Sequence, residues 1–172
     1  MIRLATQHDV LPIAQVHVQS WRESYKNIIK PEILDELSVE QRATLWRSVL
    51  EQENRRVFVY EENAQVLGFA AFNFPVDAPI SELRALYLLQ NIQGRGIGRD
   101  LVKLGLGLSR EKSYQHMQCS VLNLNPSRYF YEKMGAYFIR EECADDLGEN
   151  LKALYYQWGH LIFEYSGQAG ST

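Results

Sequence analysis

Gln93-Gly94-Arg95-Gly96-Ile97-Gly98 has three glycines at alternate positions, and it is named the glycine turn below. It follows an apolar, strand-like run at residues 86–89 and leads into a helix-like run at residues 100–109. Its glycines leave backbone N–H groups uncovered where a helix begins, and the positive end of the helix dipole lies at the same place. The glycine turn is therefore predicted to bind an anion, most often a phosphate group.

The composition indicates one ordinary globular domain. With 172 residues the chain is long enough to bury a core, and its 46% hydrophobic and 23% charged residues are typical of a soluble protein. The net charge of -3 argues against a nucleic-acid-binding surface, which is usually basic. We expect a single domain over residues 1–165, followed by a flexible tail at residues 166–172.

Cysteines, histidines and apolar runs predict a cytoplasmic protein without a metal ion or a membrane segment. Cys119 and Cys143 lack CxxC spacing, so two free thiols in a reducing cytosol are expected. The four histidines show no zinc-ligand spacing. The N-terminus lacks the apolar region of a secretory signal, and no window approaches the roughly 18 apolar residues that would span a bilayer.

Hydrophobic periodicity predicts strands and helices along the whole chain. The predicted strands cover residues 2–4, 56–60, 65–74, 81–89, 117–122, 136–141 and 151–158. The predicted helices cover residues 10–25, 31–37, 38–52, 100–109 and 126–134. This order predicts an α/β protein whose mixed sheet has helices on both faces. His17, a lone histidine on the apolar face of the first helix, is interpreted as a packed residue and not a catalytic one.

Three phosphate-binding patterns compete for the glycine turn. The Walker-loop pattern does not match, because Gly98 is followed by Arg99 and Asp100 where Lys and Ser or Thr are needed. The dinucleotide fingerprint fails because Arg99 stands at its third glycine and the turn comes mid-chain. The third pattern, Gln/Arg-x-x-Gly-x-Gly/Ala, is matched in full by residues 93–98. A glycine-rich turn without any ligand is the remaining interpretation.

The third pattern is the pyrophosphate-binding signature of the GNAT superfamily, which the chain resembles from end to end. Residues 82–88 (ELRALYL) and residues 125–135 (NPSRYFYEKMG) extend the resemblance, while Arg128 and Ala136 depart from the usual pattern. The resemblance implies the GNAT fold, with a mostly antiparallel sheet of about seven strands. It also implies an N-acetyltransferase that uses acetyl-CoA as co-substrate and needs no metal. A catalytically silent acyl-CoA-binding module that regulates a partner is the alternative from another class.

The resemblance implies a set of cofactor-binding residues. The backbone of the glycine turn would hold the CoA pyrophosphate with Arg95 or Arg99 adding charge, and a bulge in the preceding strand would open a gap for the pantetheine arm. Asn123 or Asn125 would hydrogen-bond that arm, although Asn125 is equally explained as a helix cap. The implied residues are Leu86, Tyr87, Leu88, Gln93, Gly94, Arg95, Gly96, Ile97, Gly98, Arg99, Asn123, Asn125 and Tyr131.

Three residues are implied for the chemistry. The N–H of Leu88 would polarise the thioester carbonyl. Glu82 would take the proton of the amine directly or through water, because an ammonium with a pKa near 10 cannot attack. Its alternative role is a surface ion pair with Arg84, two residues on. Tyr131 would protonate the departing thiolate, or else it is a core aromatic like its neighbours.

The acceptor site is implied to lie at the first helices and at the loop between the last two strands. Trp21 and Tyr25 are the tentative substrate residues, and acidic residues in both segments would attract a cation. A small cationic amine is the predicted acceptor, and a protein or peptide amine is the alternative. The family often forms homodimers, but no segment of this sequence specifies an interface.

Overall fold

A computed structural model describes residues 1–161, so the predicted tail at residues 166–172 and the last residues of the predicted domain lie outside the described residues. The strands are β1 (Ile2–Leu4), β2 (Arg55–Glu62), β3 (Gln65–Asn73), β4 (Ile80–Leu88), β5 (His116–Leu122), β6 (Tyr137–Cys143) and β7 (Lys152–Trp158). The helices are α1 (Val10–Ser24), α2 (Pro31–Asp35), α3 (Val39–Glu51), α4 (Ile97–Glu111) and α5 (Ser127–Lys133). Each predicted strand and helix is present, with ends that differ by a few residues.

The seven strands form one sheet in the order β1-β2-β3-β4-β5-β7-β6. Neighbouring strands are antiparallel, except that β4 and β5 run parallel. The prediction of a mixed, mostly antiparallel sheet of about seven strands is confirmed. The connection between the parallel pair contains the glycine turn and α4, as a parallel crossover requires.

Helices cover both faces of the sheet, as predicted. Side chains of α1 and α3, including Ile13 and Trp46, pack with one face of β2, β3 and β4. Side chains of α4 and α5, including Leu101 and Tyr131, pack with the other face and with β5 and β7. A third cluster joins the end of α1 and α2 to the segment between β6 and β7. The sheet therefore separates two helical layers.

Local capping interactions explain where the first helices begin. The Thr6 N–H donates to Asp9 Oδ2 at 2.8 Å, and the Ser38 hydroxyl accepts from the Gln41 N–H at 3.3 Å. Both helix starts predicted from the sequence are thus present. Arg3 also pairs with Asp9 at 2.8 Å, and this hydrogen bond lowers the pKa of the Asp9 carboxyl to about 2.

A bulge in β4 opens the sheet. Against β3, Ala71 pairs with Ala85 and Phe72 pairs with Leu83, so Arg84 is an extra residue. The pairing of β4 with β5 begins at Ile80 and stops at Leu83. Beyond that point the two strands diverge, and the gap implied by the family resemblance lies between the carboxyl-terminal half of β4 and β5.

Gly105 and Gly107 lie within α4 in different surroundings, and a pair of alanine variants can test the structural role of each. A Cβ at Gly105 would lie 2.0 Å from Cε1 of the buried Phe72 ring, whereas a Cβ at Gly107 would meet nothing within 4 Å. We expect Gly105→Ala to lower the free energy of unfolding by about 1–3 kcal/mol, because overpacking outweighs the gain in helix propensity. Gly107→Ala should raise it by about 0.5–1 kcal/mol. Urea unfolding measures both, and a Gly105→Ala protein as stable as the wild type would contradict the packing argument.

Candidate active site

A cleft of about 450 Å³ passes through the gap between β4 and β5. Its size suits a small organic ligand. Residues 83–88 of β4 and residues 120–121 of β5 line its middle. Ser20, Ser24 and Tyr25 line it from the α1 side, and the glycine turn with Phe130 and Tyr131 lines it from the α4 and α5 side. The cleft therefore reaches from one helical layer to the other.

The glycine turn has the geometry that its sequence predicts. Gly94 and Gly96 have φ angles of +74° and +83°, in the left-handed region that glycine adopts most easily. A Cβ at Gly98 would lie 3.4 Å from the Phe130 ring, so the absence of a side chain lets the backbone approach closely. The Gln93 side-chain amide donates to the Leu88 carbonyl at 2.9 Å and fixes the turn to the end of β4.

The two arginines of this region have different surroundings. Arg95 donates to both carboxylate oxygens of Glu62, at 3.0 and 3.1 Å, and its side chain does not line the cleft. Arg99 lines the cleft at the start of α4. Of the two cationic side chains that the sequence offered for a phosphate, Arg99 is the one beside the cleft. The Ile97 side chain is buried in the core, so only its backbone is available to a ligand.

The free edge of β4 directs backbone donors into the gap. The Leu89 N–H donates to the Leu67 carbonyl of β3 at 2.9 Å. Because N–H groups alternate between the two sides of a strand, those of Leu88 and Leu86 point to the open side. Sequence reasoning assigned the polarising donor to Leu88 and placed Leu86 only among the residues that bind the cofactor arm.

Tyr131 and Asn125 lie in the cleft wall, and Asn123 does not. Tyr131 is 8% exposed, and burial raises its pKa well above the usual value, so the phenol is protonated at neutral pH. Asn125 accepts from the Ser127 N–H at 2.9 Å and donates to the Tyr25 hydroxyl at 3.3 Å, which combines a helix cap with a place in the cleft. Asn123 accepts from the Lys152 N–H at 3.1 Å and ties β5 to β7.

Glu82 lies beside the cleft region but does not line it. One of its oxygens is 3.7 Å from the Arg84 guanidinium, and the other accepts from Asn73 Nδ2 at 2.6 Å. Asn73 in turn accepts from Asn54, which precedes β2 on the α3 side of the sheet. The ion pair with Arg84 that the sequence offered as an alternative is present. Arg84 itself lines the cleft.

The α1 side of the cleft carries two hydroxyl groups that sequence reasoning missed. Ser20 is buried, and its Oγ has no hydrogen-bond partner among the described residues. Ser24 lies one helical turn further on, and both line the cleft. Tyr25 also lines it, as expected of a substrate residue, whereas Trp21 packs against Tyr25 with ring centres 5.0 Å apart and is not in the lining. A single serine within an amphipathic helix carries no signal that could have identified this side.

His17 is a packed residue, as the sequence predicts. The Trp46 indole N–H donates to its Nδ1 at 3.0 Å, and its ring stacks on Tyr87 with centres 5.1 Å apart. Burial lowers the pKa of His17 to about 4, so the imidazole is neutral at pH 7. Because Nδ1 accepts a hydrogen bond, the proton is on Nε2, and neither nitrogen can act as a base there.

The acidic residues at the end of β6 and in the loop before β7 lie around a different recess. Glu141 pairs with Lys152, and Glu142 pairs with Arg140 and accepts from the Tyr155 hydroxyl. Glu141, Glu142 and Lys152 line a separate recess of about 370 Å³ together with Asp145. Over residues 1–161, no three His, Cys, Asp or Glu side chains are grouped as a metal site would need. Of the helices in that part of the chain, none has the length and apolar character to cross a membrane.

Comparisons with known proteins agree with the geometry. A family model described as the acetyltransferase (GNAT) family matches residues 17–136. An N-acetyltransferase of Bacillus subtilis (strain 168), YuaI, is 32% identical over 165 residues, which is 93% of each chain. The crystal structure of the PaiA N-acetyltransferase of Thermoplasma acidophilum in complex with coenzyme A is similar with a TM-score of 0.76 and 18% identity, over 92% of this chain and 98% of that one. The ribosomal-protein-alanine N-acetyltransferase of Brucella melitensis gives a TM-score of 0.71 and 23% identity, over 92% and 99%.

Proposed function

This chain belongs to the acetyltransferase (GNAT) family, and we propose that it moves an acetyl group from acetyl-CoA to an amine by direct attack within a ternary complex. The cleft between β4 and β5 carries the proposal, because it connects the glycine turn on one side of the sheet with α1 on the other. Two substrates can then meet inside the sheet from opposite sides. The similar Thermoplasma enzyme, crystallised with coenzyme A, supports the identity of the donor.

The residues at the glycine-turn end fit a CoA pyrophosphate. Two left-handed glycines present N–H groups, Gly98 allows close approach, and Arg99 adds positive charge. The open edge of β4 offers the N–H groups of Leu86 and Leu88 to an extended arm. When bound, acetyl-CoA supplies the acetyl thioester. We assign the polarising donor to Leu88, with Leu86 as the second candidate that the strand geometry adds.

Tyr131 is proposed to give its phenolic proton to the sulfur as the C–S bond breaks. The buried Cys119 thiol on β5 indicates what this environment does to sulfur, since burial raises its pKa to about 12. A departing thiolate in the same surroundings is thus a stronger base than in water, and the raised pKa of the phenol does not prevent the transfer. Attack of the amine on the thioester carbonyl forms the C–N bond, the C–S bond then breaks as the sulfur takes the phenolic proton, and the phenol later regains a proton from solvent.

Glu82 is proposed to take the amine proton through water. Among the described residues, the cleft lining contains no carboxylate, and the cleft tyrosines are protonated at neutral pH. Leu83 packs in the cluster on the α4 and α5 side, so its neighbour Glu82 faces the other side of the sheet, from which the amine is proposed to enter, and it contacts the bulge residue Arg84. A water molecule between the amine and this carboxylate would complete the path.

The acceptor side gives less support to the predicted cationic amine. That prediction depended on acidic residues near α1 and in the loop before β7. Glu141 and Glu142, which lie at the end of β6, are paired with basic side chains and line the separate recess. The two charged side chains in the cleft lining, Arg84 and Arg99, are both positive.

A direct test is thiol release from acetyl-CoA in the presence of amines that differ in charge and size, with coenzyme A binding measured by calorimetry in parallel. We expect CoA to bind and at least one amine to release stoichiometric thiol with formation of the N-acetyl product. Binding of CoA without thiol release from any small or peptide amine would reject the enzyme mechanism proposed here and favour the silent acyl-CoA-binding module.

Replacing Glu82 with glutamine tests the proposed base. Gln keeps an oxygen for Asn73 but cannot take a proton, so kcat/KM at pH 7 should fall by about 10-fold or more. The loss should shrink towards pH 10, where an alkylamine with a pKa near 10 arrives deprotonated. Glu51→Gln, an exposed change on α3, is the matched control. A loss that is equal at pH 7 and pH 10 would instead assign Glu82 a structural role.

A further inference from the structure

The two ends of the cleft each have one arginine. Arg99 lies at the glycine turn, where the proposed pyrophosphate binds. Arg84 lies four residues before Leu88 on β4, and the rise of a strand places it about 13 Å further along the gap. Among the described residues, the lining itself contains no Asp or Glu, and the carboxylates that pair with these arginines, Asp100 with Arg99 at 3.1 Å and Glu82 with Arg84 at 3.7 Å, lie outside it. The charged side chains that line the cleft are therefore both guanidinium groups.

Arg84 is available to a ligand. It is the extra residue of the β4 bulge, and its side chain is 59% exposed. Its contact with Glu82 is long, at 3.7 Å, and the other oxygen of Glu82 accepts from Asn73 at 2.6 Å. Arg55 lies near the same pair: burial lowers the pKa of its guanidinium, the Arg84 charge lowers it further, and the Glu82 charge raises it. Two guanidinium groups thus surround one carboxylate, which leaves a net positive charge at this end.

Hydroxyl groups from α1 line the same cleft. Ser20 Oγ is buried in the cleft wall without a hydrogen-bond partner among residues 1–161, although buried polar groups are normally paired. Ser24 follows one turn later on the same side of α1. The Tyr25 hydroxyl accepts from Asn125 Nδ2 and so has its own proton free to donate. Each of these groups can donate a hydrogen bond to an anion.

We propose that the acceptor is a small amine that carries a carboxylate, as an α-amino acid does, and that Arg84 pairs with this carboxylate. This inference rests on the proposed acetyl transfer and names the substrate class of the same site. Arg84 forms a charge-assisted pair, and the Ser20 and Ser24 hydroxyls bind the remaining polar atoms of the acceptor. A diamine or polyamine would bring further positive charge beside Arg84, to a wall whose described residues include no carboxylate.

Matched pairs of amines provide the test. Each α-amino acid is compared with the amine that lacks only its carboxylate and with its uncharged amide, by thiol release from acetyl-CoA and by calorimetric binding to the CoA-bound protein. For the wild type, we expect the carboxylate to raise kcat/KM by about 10- to 100-fold. Arg84→Gln should remove most of that advantage, measured as the ratio of kcat/KM for each amino acid to kcat/KM for its decarboxylated amine, and should leave the affinity for CoA unchanged. Arg47→Gln, an exposed arginine on α3, makes the same charge change away from the cleft.

The two readouts separate this inference from the proposed function. Turnover that favours decarboxylated amines, polyamines or peptides over amino acids would overturn the inference and leave acetyl transfer standing. Carboxylate-dependent binding that Arg84→Gln abolishes, without any thiol release, would support the anionic acceptor site and reject the proposed catalysis. Absence of both binding and turnover for every carboxylated amine would overturn the inference. An equal loss for charged and uncharged acceptors in Arg84→Gln would also overturn it, because that pattern indicates a structural role.

Discussion

Replacing Tyr131 with phenylalanine is expected to lower kcat by about 100-fold or more, while the Kd for CoA stays within about twofold of the wild-type value. The substitution removes the phenolic oxygen and retains a ring that packs against Phe130 and Trp158, with centres 5.3 and 6.0 Å away. The protein should therefore fold and bind its donor normally. What it loses is the proton for the departing sulfur.

The pH dependence follows from the burial of the phenol. Because burial raises the pKa of Tyr131 above its usual value of about 10, the protonated form that donates is present throughout the neutral range. Wild-type kcat should therefore show no alkaline decline below about pH 10 that can be attributed to this group, since its proton is lost only above its own raised pKa. The expected profile of Tyr131→Phe is lower at every pH and similar in shape.

Tyr129→Phe is the matched control for this prediction. Tyr129 is on the same short helix, is 55% exposed and contacts Arg128, and it does not line the cleft. Its variant should retain wild-type kcat. Steady-state thiol release gives kcat and KM, calorimetry gives the Kd for CoA, and urea unfolding shows whether either variant is destabilised. A kcat for Tyr131→Phe close to that of the wild type would mean that solvent protonates the thiolate.

The sequence predicted what depends on local pattern. The periodicity of apolar residues located the strands and helices of the sheet, because each element must bury one face. The spacing of Gly94, Gly96 and Gly98 predicted the anion-binding turn, because two of these positions need φ angles that few other residues adopt. Such features are encoded within a few residues, so neighbours in sequence suffice to predict them.

The choice between equivalent candidates was not predictable, because it depends on residues distant in sequence. Arg95 and Arg99 are equally basic, and only the approach of Glu62 from the β2–β3 hairpin draws Arg95 away from the cleft. Asn123 and Asn125 differ in their contacts, because Asn123 accepts a hydrogen bond from the backbone of β7. Glu141 and Glu142, two of the acidic residues expected near the acceptor, lie at the end of β6, where Lys152 and Arg140 pair with them. Charge in a sequence indicates a surface, and only the fold indicates which cavity that surface faces.

Ser20 shows a further limit of sequence reasoning. A serine inside a helix is common, and nothing in its neighbours marks it as functional. Its importance follows from two structural facts together, which are its place in the cleft wall and its unpaired buried hydroxyl among the described residues. The charge of the acceptor end likewise became visible only when the bulge placed Arg84 at the gap and left Glu82 outside the lining.

Replacing Gly96 with valine is expected to raise the Kd for CoA by about 10- to 100-fold. A β-branched residue at a φ of +83° is strained by at least about 1–2 kcal/mol, so the turn should rotate its N–H groups away from the pyrophosphate position. A Cβ at this position would also lie 3.2 Å from the Arg99 guanidinium. The new side chain would therefore displace Arg99, which lines the cleft directly after the turn. The two effects act on the same ligand group.

A donor without the pyrophosphate separates this effect from general damage. Acetyl-pantetheine carries the same thioester and arm, so its kcat/KM should be nearly equal in Gly96→Val and the wild type if the substitution acts only on the pyrophosphate cradle. Gly94→Ala isolates backbone strain, because its φ is +74° and a Cβ there would meet nothing within 4 Å. It should weaken CoA binding less than Gly96→Val does. Equal losses for CoA and acetyl-pantetheine would locate the defect in the gap between β4 and β5, whereas an unchanged Kd for CoA in Gly96→Val would mean that the pyrophosphate binds elsewhere.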